Sequence, residues 1–181
     1  MFWLNLVLTL SQRHAISNDG AVKSVMLQID IPSRGALELV HLVLDLNGTI
    51  ALDGEMLPGV AERLVALAES LTIHLVTADT HGKAVAIASR LGIELACIEP
   101  GDEVRQKRTL VQRLGAEQVV AVGNGANDGA MLRAAALGIA VLGAEGLAVE
   151  ALRSADVVAA GIEDALDLLL RPKRLVATLR K

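Results

Sequence analysis

From Met26 onward the chain alternates between two hydrophobic rhythms, short apolar runs with strand spacing and stripes with the three-to-four-residue spacing of a helix. "LQIDI" and "LELVHLVLDL" flank "PSRG", the pattern of a hairpin that leads into a buried strand. Pro58 then opens a helix whose apolar face comprises residues 60, 64, 65, 67 and 68. "LTIHLVT" predicts the next strand, "GKAVAIASRLG" a helix closed by Gly92, "IELACI" a strand, and "DEVRQKRTLVQRLG" a helix with apolar positions 104, 110, 111 and 114. The rest repeats the theme, with strands "QVVAVGN", "GIAVLG" and "DVVAA" separated and followed by helices "NDGAMLRAAAL", "GLAVEALRSA" and "IEDALDLLL".

Strands that alternate with helices are joined by crossovers, which make neighbouring strands parallel and place helices on both faces. The predicted fold is therefore α/β, a Rossmann-like three-layer parallel sheet with an N-terminal β-hairpin added, in one domain over residues 26–181. Ligands of such sheets bind beyond the carboxyl ends of the strands. Asp45, Thr77 and Gly123 each stand at or just after the last apolar residue of a predicted strand, so the topology would gather them. The stretch "HLVLDLNGTIALDG" allows two readings. Asn47-Gly48 between apolar runs signals a two-residue hairpin turn, and the same letters put Asn47 and Thr49 two and four residues after a strand-end Asp45, a loop suited to phosphate.

Composition narrows the class. Hydrophobic residues make up 52% and charged residues 21% of the chain, without an unbroken apolar run of membrane length. A net charge of −4 gives no basic field for nucleic acid, and residues 171–181, with five positive charges, read as a solvated helix end. The single Cys97 excludes an internal disulfide and a multi-cysteine metal site; it is expected as a small buried hydrophobe and fits a cytoplasmic protein. Residues 1–25 hold both aromatic residues, Phe2 and Trp3, and lack the features of a signal peptide; they are expected to be an extension outside the folded unit.

Four segments carry the candidate chemistry in order: Asp45-Leu46-Asn47-Gly48-Thr49; "LVTADT" with Thr77, Ala78 and Asp79; Lys107 ahead of the apolar stripe Leu110, Val111 and Leu114; and Gly123-Asn124-Gly125-Ala126-Asn127-Asp128. Together they resemble the motifs of haloacid dehalogenase-like hydrolases, and within them a capless form of the phosphorylation core of P-type ATPases. The resemblance implies Asp45 as the nucleophile of an aspartyl-phosphate intermediate, with Asn47, Thr77 and Lys107 as its catalytic neighbours. It implies Thr49, Thr77, Ala78 and Lys107 around the phosphate, and Mg²⁺ held by Asp45, the Asn47 backbone carbonyl, Asn124 and Asp128. Asp79, Gly123, Gly125 and Asn127 would support them. The set makes physical sense, because an anion that attacks a phosphate needs cationic charge and hydrogen-bond donors on the three equatorial oxygens.

Two departures bear on activity. Asn47 replaces the second aspartate of the phosphatases, a general acid and base, and cannot carry a proton at neutral pH. Asn124 replaces a metal-ligating aspartate of the ATPases. Only 27 residues separate Thr49 from Thr77, enough for a flap and one helix, and residues 80–106 leave no room for a cap either. An uncovered site would admit a large phosphate ester, or be closed by a partner or a second subunit in a homo-oligomer. The expected function is a slow Mg²⁺-dependent phosphatase or phosphotransferase; the alternative is a catalytically impaired phosphate-binding or regulatory module.

Bland readings stand beside these. "GNGANDG" mimics a dinucleotide loop, with Glu145 as its distant acid, but Asp128 occupies the third-glycine position and would face a pyrophosphate. Thr77 and Asp79 alone would read as helix caps, Lys107 as a solvated lysine, His81 as a loop histidine, and His41 and His74 as structural.

Overall fold

A computed structural model describes residues 26–78 and 82–181, together with two short paired strands before them, β1 (Ala15–Ile16) and β2 (Val22–Lys23). The expectation of an extension over residues 1–25 otherwise lies outside the described residues, as do Asp79 and His81. Strands β3 (Leu27–Ile31) and β4 (Gly35–Leu39) form the added antiparallel hairpin, with Leu27 opposite Leu39. Then follow β5 (His41–Asp45), the small hairpin β6 (Ala51–Leu52) and β7 (Glu55–Met56), α1 (Val60–Leu67), β8 (Thr72–Thr77), α2 (Lys83–Leu91), β9 (Glu94–Cys97) and α3 (Glu103–Arg113). The last part comprises β10 (Val119–Gly123), α4 (Gly129–Ala134), β11 (Leu137–Val141), α5 (Val149–Leu152), β12 (Val157–Ala159), α6 (Ile162–Leu170) and α7 (Pro172–Leu179).

The main sheet has six parallel strands in the order β12-β11-β10-β5-β8-β9. Alternation along its strands splits the core in two. Leu42, Leu44, Ile73, Leu75, Val120 and Val122 face α1, α2, α6 and the β3–β4 hairpin, whereas Val43, Val76, Val119 and Ala121 face α3, α4 and α5. This is the predicted three-layer architecture. The chain runs outward from β5 to β8 and β9, then returns to place β10 against the other side of β5. A crevice therefore opens between the carboxyl ends of β5 and β10, where the crossovers part to opposite sides.

Several expectations needed correction. The run "LELVHLVLDL" is two strands, because Val40 bonds outward, its N–H donating to the Gln118 carbonyl at 2.8 Å and its carbonyl accepting from Thr72 N–H at 2.8 Å, so the chain changes sheets there. Cys97 is exposed rather than buried, since β9 is an edge strand. On α1, Val60, Leu64 and Leu67 are buried while Val65 and Ala68 are exposed. The helix expected over "GLAVEALRSA" shrinks to Val149–Leu152, because the residues before it form a turn docked on the crevice. The basic C-terminal run is a helix of its own whose Leu175 is buried.

Candidate active site

The crevice is built from the ends of three strands. On β5 the residues that face α3 are His41, Val43 and, by the same alternation, Asp45. Lys107 reaches this point from α3, one turn before the buried Val111, so the lysine continues the helix's inward stripe with an ammonium at its end. Its Nζ donates to Asp45 Oδ1 and to Asp128 Oδ1, each at 2.7 Å, and lies 3.4 Å from Asn127 Oδ1. Asp45 is 8% exposed, Lys107 2% and Asp128 0%, so this is a buried cation shared between two carboxylates.

Asp128 is held from behind by the loop after β10. Its Oδ2 accepts the backbone N–H groups of Asn124 at 3.0 Å and Gly125 at 2.9 Å. A Cβ on Gly123 would lie 2.5 Å from Asp128 Cγ, so the carboxylate fills the space that a side chain at the end of β10 would take. Both oxygens of Asp128 thus serve the chain's own donors.

The loop after Asp45 turns on the Leu46 carbonyl, which accepts from Ile50 N–H and Ala51 N–H at 3.0 Å. The turn brings the Thr49 hydroxyl to 3.2 Å from Asp45 Oδ2 and 3.1 Å from Asn124 Oδ1; with one proton it donates to one of them at a time. Beyond it, β6 and β7 form the flap. Their hairpin turn is Asp53-Gly54, both in the left-handed region at φ 52° and 78°, and not Asn47-Gly48. Of the two readings of the Asn47-Gly48 stretch, the crevice loop is the one adopted.

Charge follows from this packing. Burial, then the nearby Asp128, push the Asp45 carboxyl up to about 6, against the pull of Lys107. For Lys107 burial disfavours the charge, but Asp45 and Asp128 outweigh it and its pKa is raised. The two carboxylates therefore favour the charged form of the lysine, whereas burial and the second carboxylate work against the charge on Asp45.

The crevice is an open cavity of about 790 Å³ lined by, among others, Asp45, Asn47, Thr77, Ala78, Lys107 and Asn124. Thr77 is buried at the end of β8, and its carbonyl accepts from Ile98 N–H at 3.0 Å. Gly125 and Asn127 also line the cavity, whereas Thr49 and Asp128 are buried behind its wall, tied to Asp45, Asn124 and Lys107 by the hydrogen bonds above. Two acidic residues of the wall, Glu103 and Glu145, belong to none of the four motifs. The strand-end rule that singled out Asp45, applied to β11, points to the turn that carries Glu145.

A strand-end carboxylate, a buried lysine and a glycine-rich loop at the switch point of a parallel sheet define a doubly wound α/β protein with a polar site at its strand ends. The model of the haloacid dehalogenase-like hydrolases matches residues 11–136, and the chain belongs to this family. It is 37% identical over 145 residues to the "Probable cation-transporting ATPase G" of Mycobacterium bovis, a match covering 76% of this chain and 18% of that protein. A zinc-transporting PIB-type ATPase in its E2.Pi state superposes with a TM-score of 0.52 at 28% identity, over 67% of this chain and 20% of that one. The 3-deoxy-D-manno-octulosonate 8-phosphate phosphatase of Moraxella catarrhalis, solved with magnesium, phosphate and KDO, shares the fold with a TM-score of 0.59 at 18% identity, over 78% of this chain and 94% of that one. The chain thus spans about a fifth of the length of the two ATPases. Among the described residues no helix is long and apolar enough to cross a membrane.

Proposed function

We propose that this protein is a Mg²⁺-dependent phosphatase or phosphotransferase that works through a phosphorylated Asp45. The observation that carries the reading is Lys107, desolvated and 2.7 Å from both Asp45 and Asp128 at the floor of an open polar cavity. A buried cation that holds a nucleophile candidate beside an open crevice suits the transfer of an anionic group.

The donor set fits a hard divalent cation, since Asp45, Asn47 and Asn124 bring carboxylate, carbonyl and amide oxygens to the cavity wall. When bound there, Mg²⁺ would offset the charge of the nucleophile and of the entering phosphate. Asp128 suits a different part from the one its motif implies. With one oxygen on Lys107 and the other on two backbone amides, it fixes the lysine and the loop.

In the first step an Asp45 carboxylate oxygen bonds to phosphorus and the ester P–O bond breaks, while Lys107 and the Thr77 end of β8 meet the equatorial oxygens. The departing oxygen takes its proton from solvent, because Asn47 has none to give. Water then attacks phosphorus, the P–O bond to Asp45 breaks, and inorganic phosphate leaves. Phosphates with good leaving groups, such as acetyl and aryl phosphates, are accordingly the substrates of choice, and the open crevice suits phosphorylated groups on large molecules.

Phosphate release from an aryl phosphate with Mg²⁺ tests the reading. The native protein is expected to turn over slowly, Asp45→Asn not at all, and Asn47→Asp to run about 10²-fold faster on an alkyl phosphate, where proton transfer matters most. Phosphate binding with no turnover in either the native protein or Asn47→Asp would favour a non-catalytic binding module instead.

A further inference from the structure

The turn after β11 holds a carboxylate that no motif contains. Gly143 and Gly146 close this turn, Gly146 N–H donating to the Gly143 carbonyl at 2.9 Å, and Ala144 and Glu145 stand at its tip. It is docked on the crevice from two sides. A Cβ on Gly143 would stand 2.7 Å from the Gly48 carbonyl oxygen, and a Cβ on Gly48 would stand 2.6 Å from Glu145 Oε2 and 2.7 Å from Asn124 Nδ2. Glycine is required at 143 by the approach to backbone, and at 48 by its left-handed φ of 74°. On the other side Asn124 Nδ2 donates to the Gly146 carbonyl at 3.3 Å, and Ala148 N–H donates to the Asn124 carbonyl at 2.9 Å. The turn thereby brings the exposed Glu145 side chain next to Gly48 and Asn124, on the wall it shares with Asp45.

The charges there do not balance. Glu145, Glu103 and Asp45 line the cavity against a single lysine, and Asp128 lies behind it. Among the described residues no lysine, arginine or histidine forms an ion pair with Glu145. Carboxylates that share one crevice wall repel one another, and a cation between them offsets that repulsion. The neighbouring side chain is Asn124, which lines the same cavity and brings an oxygen but no charge.

We propose that Glu145 supplies the second carboxylate of the divalent-cation site, in place of the charge that Asn124 lacks. The inference rests on the reading of this cavity as a cation site. It assigns the coordinating set as Asp45, the Asn47 carbonyl, Asn124 and Glu145, with Asp128 reserved for Lys107. The turn at 143–146 then has a purpose, which is to carry a charge to a strand end that the glycine-rich loop leaves neutral.

Titration of the full chain with Mn²⁺, followed by the loss of the free-ion electron paramagnetic resonance signal, tests the assignment without any substrate. Glu145→Gln is expected to weaken Mn²⁺ binding at least about tenfold while thermal unfolding in metal-free buffer stays unchanged. Asn124→Asp is expected to tighten binding, and in that background Glu145→Gln should cost about twofold or less, since one carboxylate then substitutes for the other. Equal Mn²⁺ affinity in the native protein and Glu145→Gln, with Asp45→Asn still abolishing binding, would overturn the role of Glu145 and leave the cation site standing. Absence of Mn²⁺ binding to the native protein would overturn both.

Discussion

Lys107 is the side chain on which the site's electrostatics depend, since it is the cation between two buried carboxylates. Lys107→Met keeps the stem and removes the charge, leaving Asp45 and Asp128 without their shared partner. Urea unfolding at pH 7.5 is expected to show a loss of about 3–5 kcal/mol, the cost of uncompensated buried charge. The loss should shrink at pH 5, below the value of about 6 at which Asp45 takes up a proton. A loss below about 1 kcal/mol at pH 7.5 would contradict the arrangement. At this scale the sequence was informative where a motif letter fell on a strand end, as at Asp45 and Thr77, or on the apolar stripe of a helix, as at Lys107, and the three line one cavity. The anchoring of Asp128 was not legible, because the same letter serves as metal ligand, helix start or lysine clamp, and only its partners distinguish them. For Glu145 the sequence offers only a place in a dinucleotide-loop mimic that Asp128 argues against, because no short-range pattern ties it to Asp45.

Between elements, an imidazole relay joins three neighbouring strands: His41 on β5 lies 3.0 Å from His74 Nε2 on β8, and His74 Nδ1 lies 2.9 Å from Glu94 Oε2 on β9. With both rings neutral, His41 donates to His74 and His74 to the carboxylate. Burial first, and His41 second, hold His74 down to about 4, and burial lowers His41 too. An unfolded histidine protonates near 6.5 and folded His74 only near 4, so the relay costs stability as pH falls across that window, by about 3 kcal/mol for His74. Asp45 acts the other way. Its folded carboxyl takes a proton near 6 and its unfolded one near 3.8, so the native state gains stability as pH falls between them. The two effects offset each other in the native protein. In metal-free buffer, Asp45→Asn should therefore be more stable than the native protein at pH 7, by about 3 kcal/mol, and lose stability more steeply between pH 6.5 and 4.5. Parallel urea-derived curves for the two proteins would contradict this account. The strands and helices themselves were largely legible, because their period is written in the apolar positions. Where the pattern misled, at Val40 and before α5, the backbone bonds outside its own element, which no local rhythm records.

Across the whole molecule, strand order decides what the sequence leaves open. Alternating strands and helices predict a parallel sheet, but not that β10 returns beside β5, which brings residues 45, 107 and 128 within one hydrogen-bond network. The flap of β6 and β7 is small and the crevice stays open, consistent with the short segments between the motifs. What the arrangement exists to do, in this account, is to let Asp45 carry a phosphoryl group. The most direct measurement is intact-protein mass spectrometry after incubation with acetyl phosphate and Mg²⁺, followed by borohydride trapping and peptide mapping. The account predicts one phosphoryl adduct, labile to hydroxylamine, mapped to Asp45 and absent from Asp45→Asn. An adduct on another residue, or none under conditions where Mn²⁺ occupies the site, would contradict it.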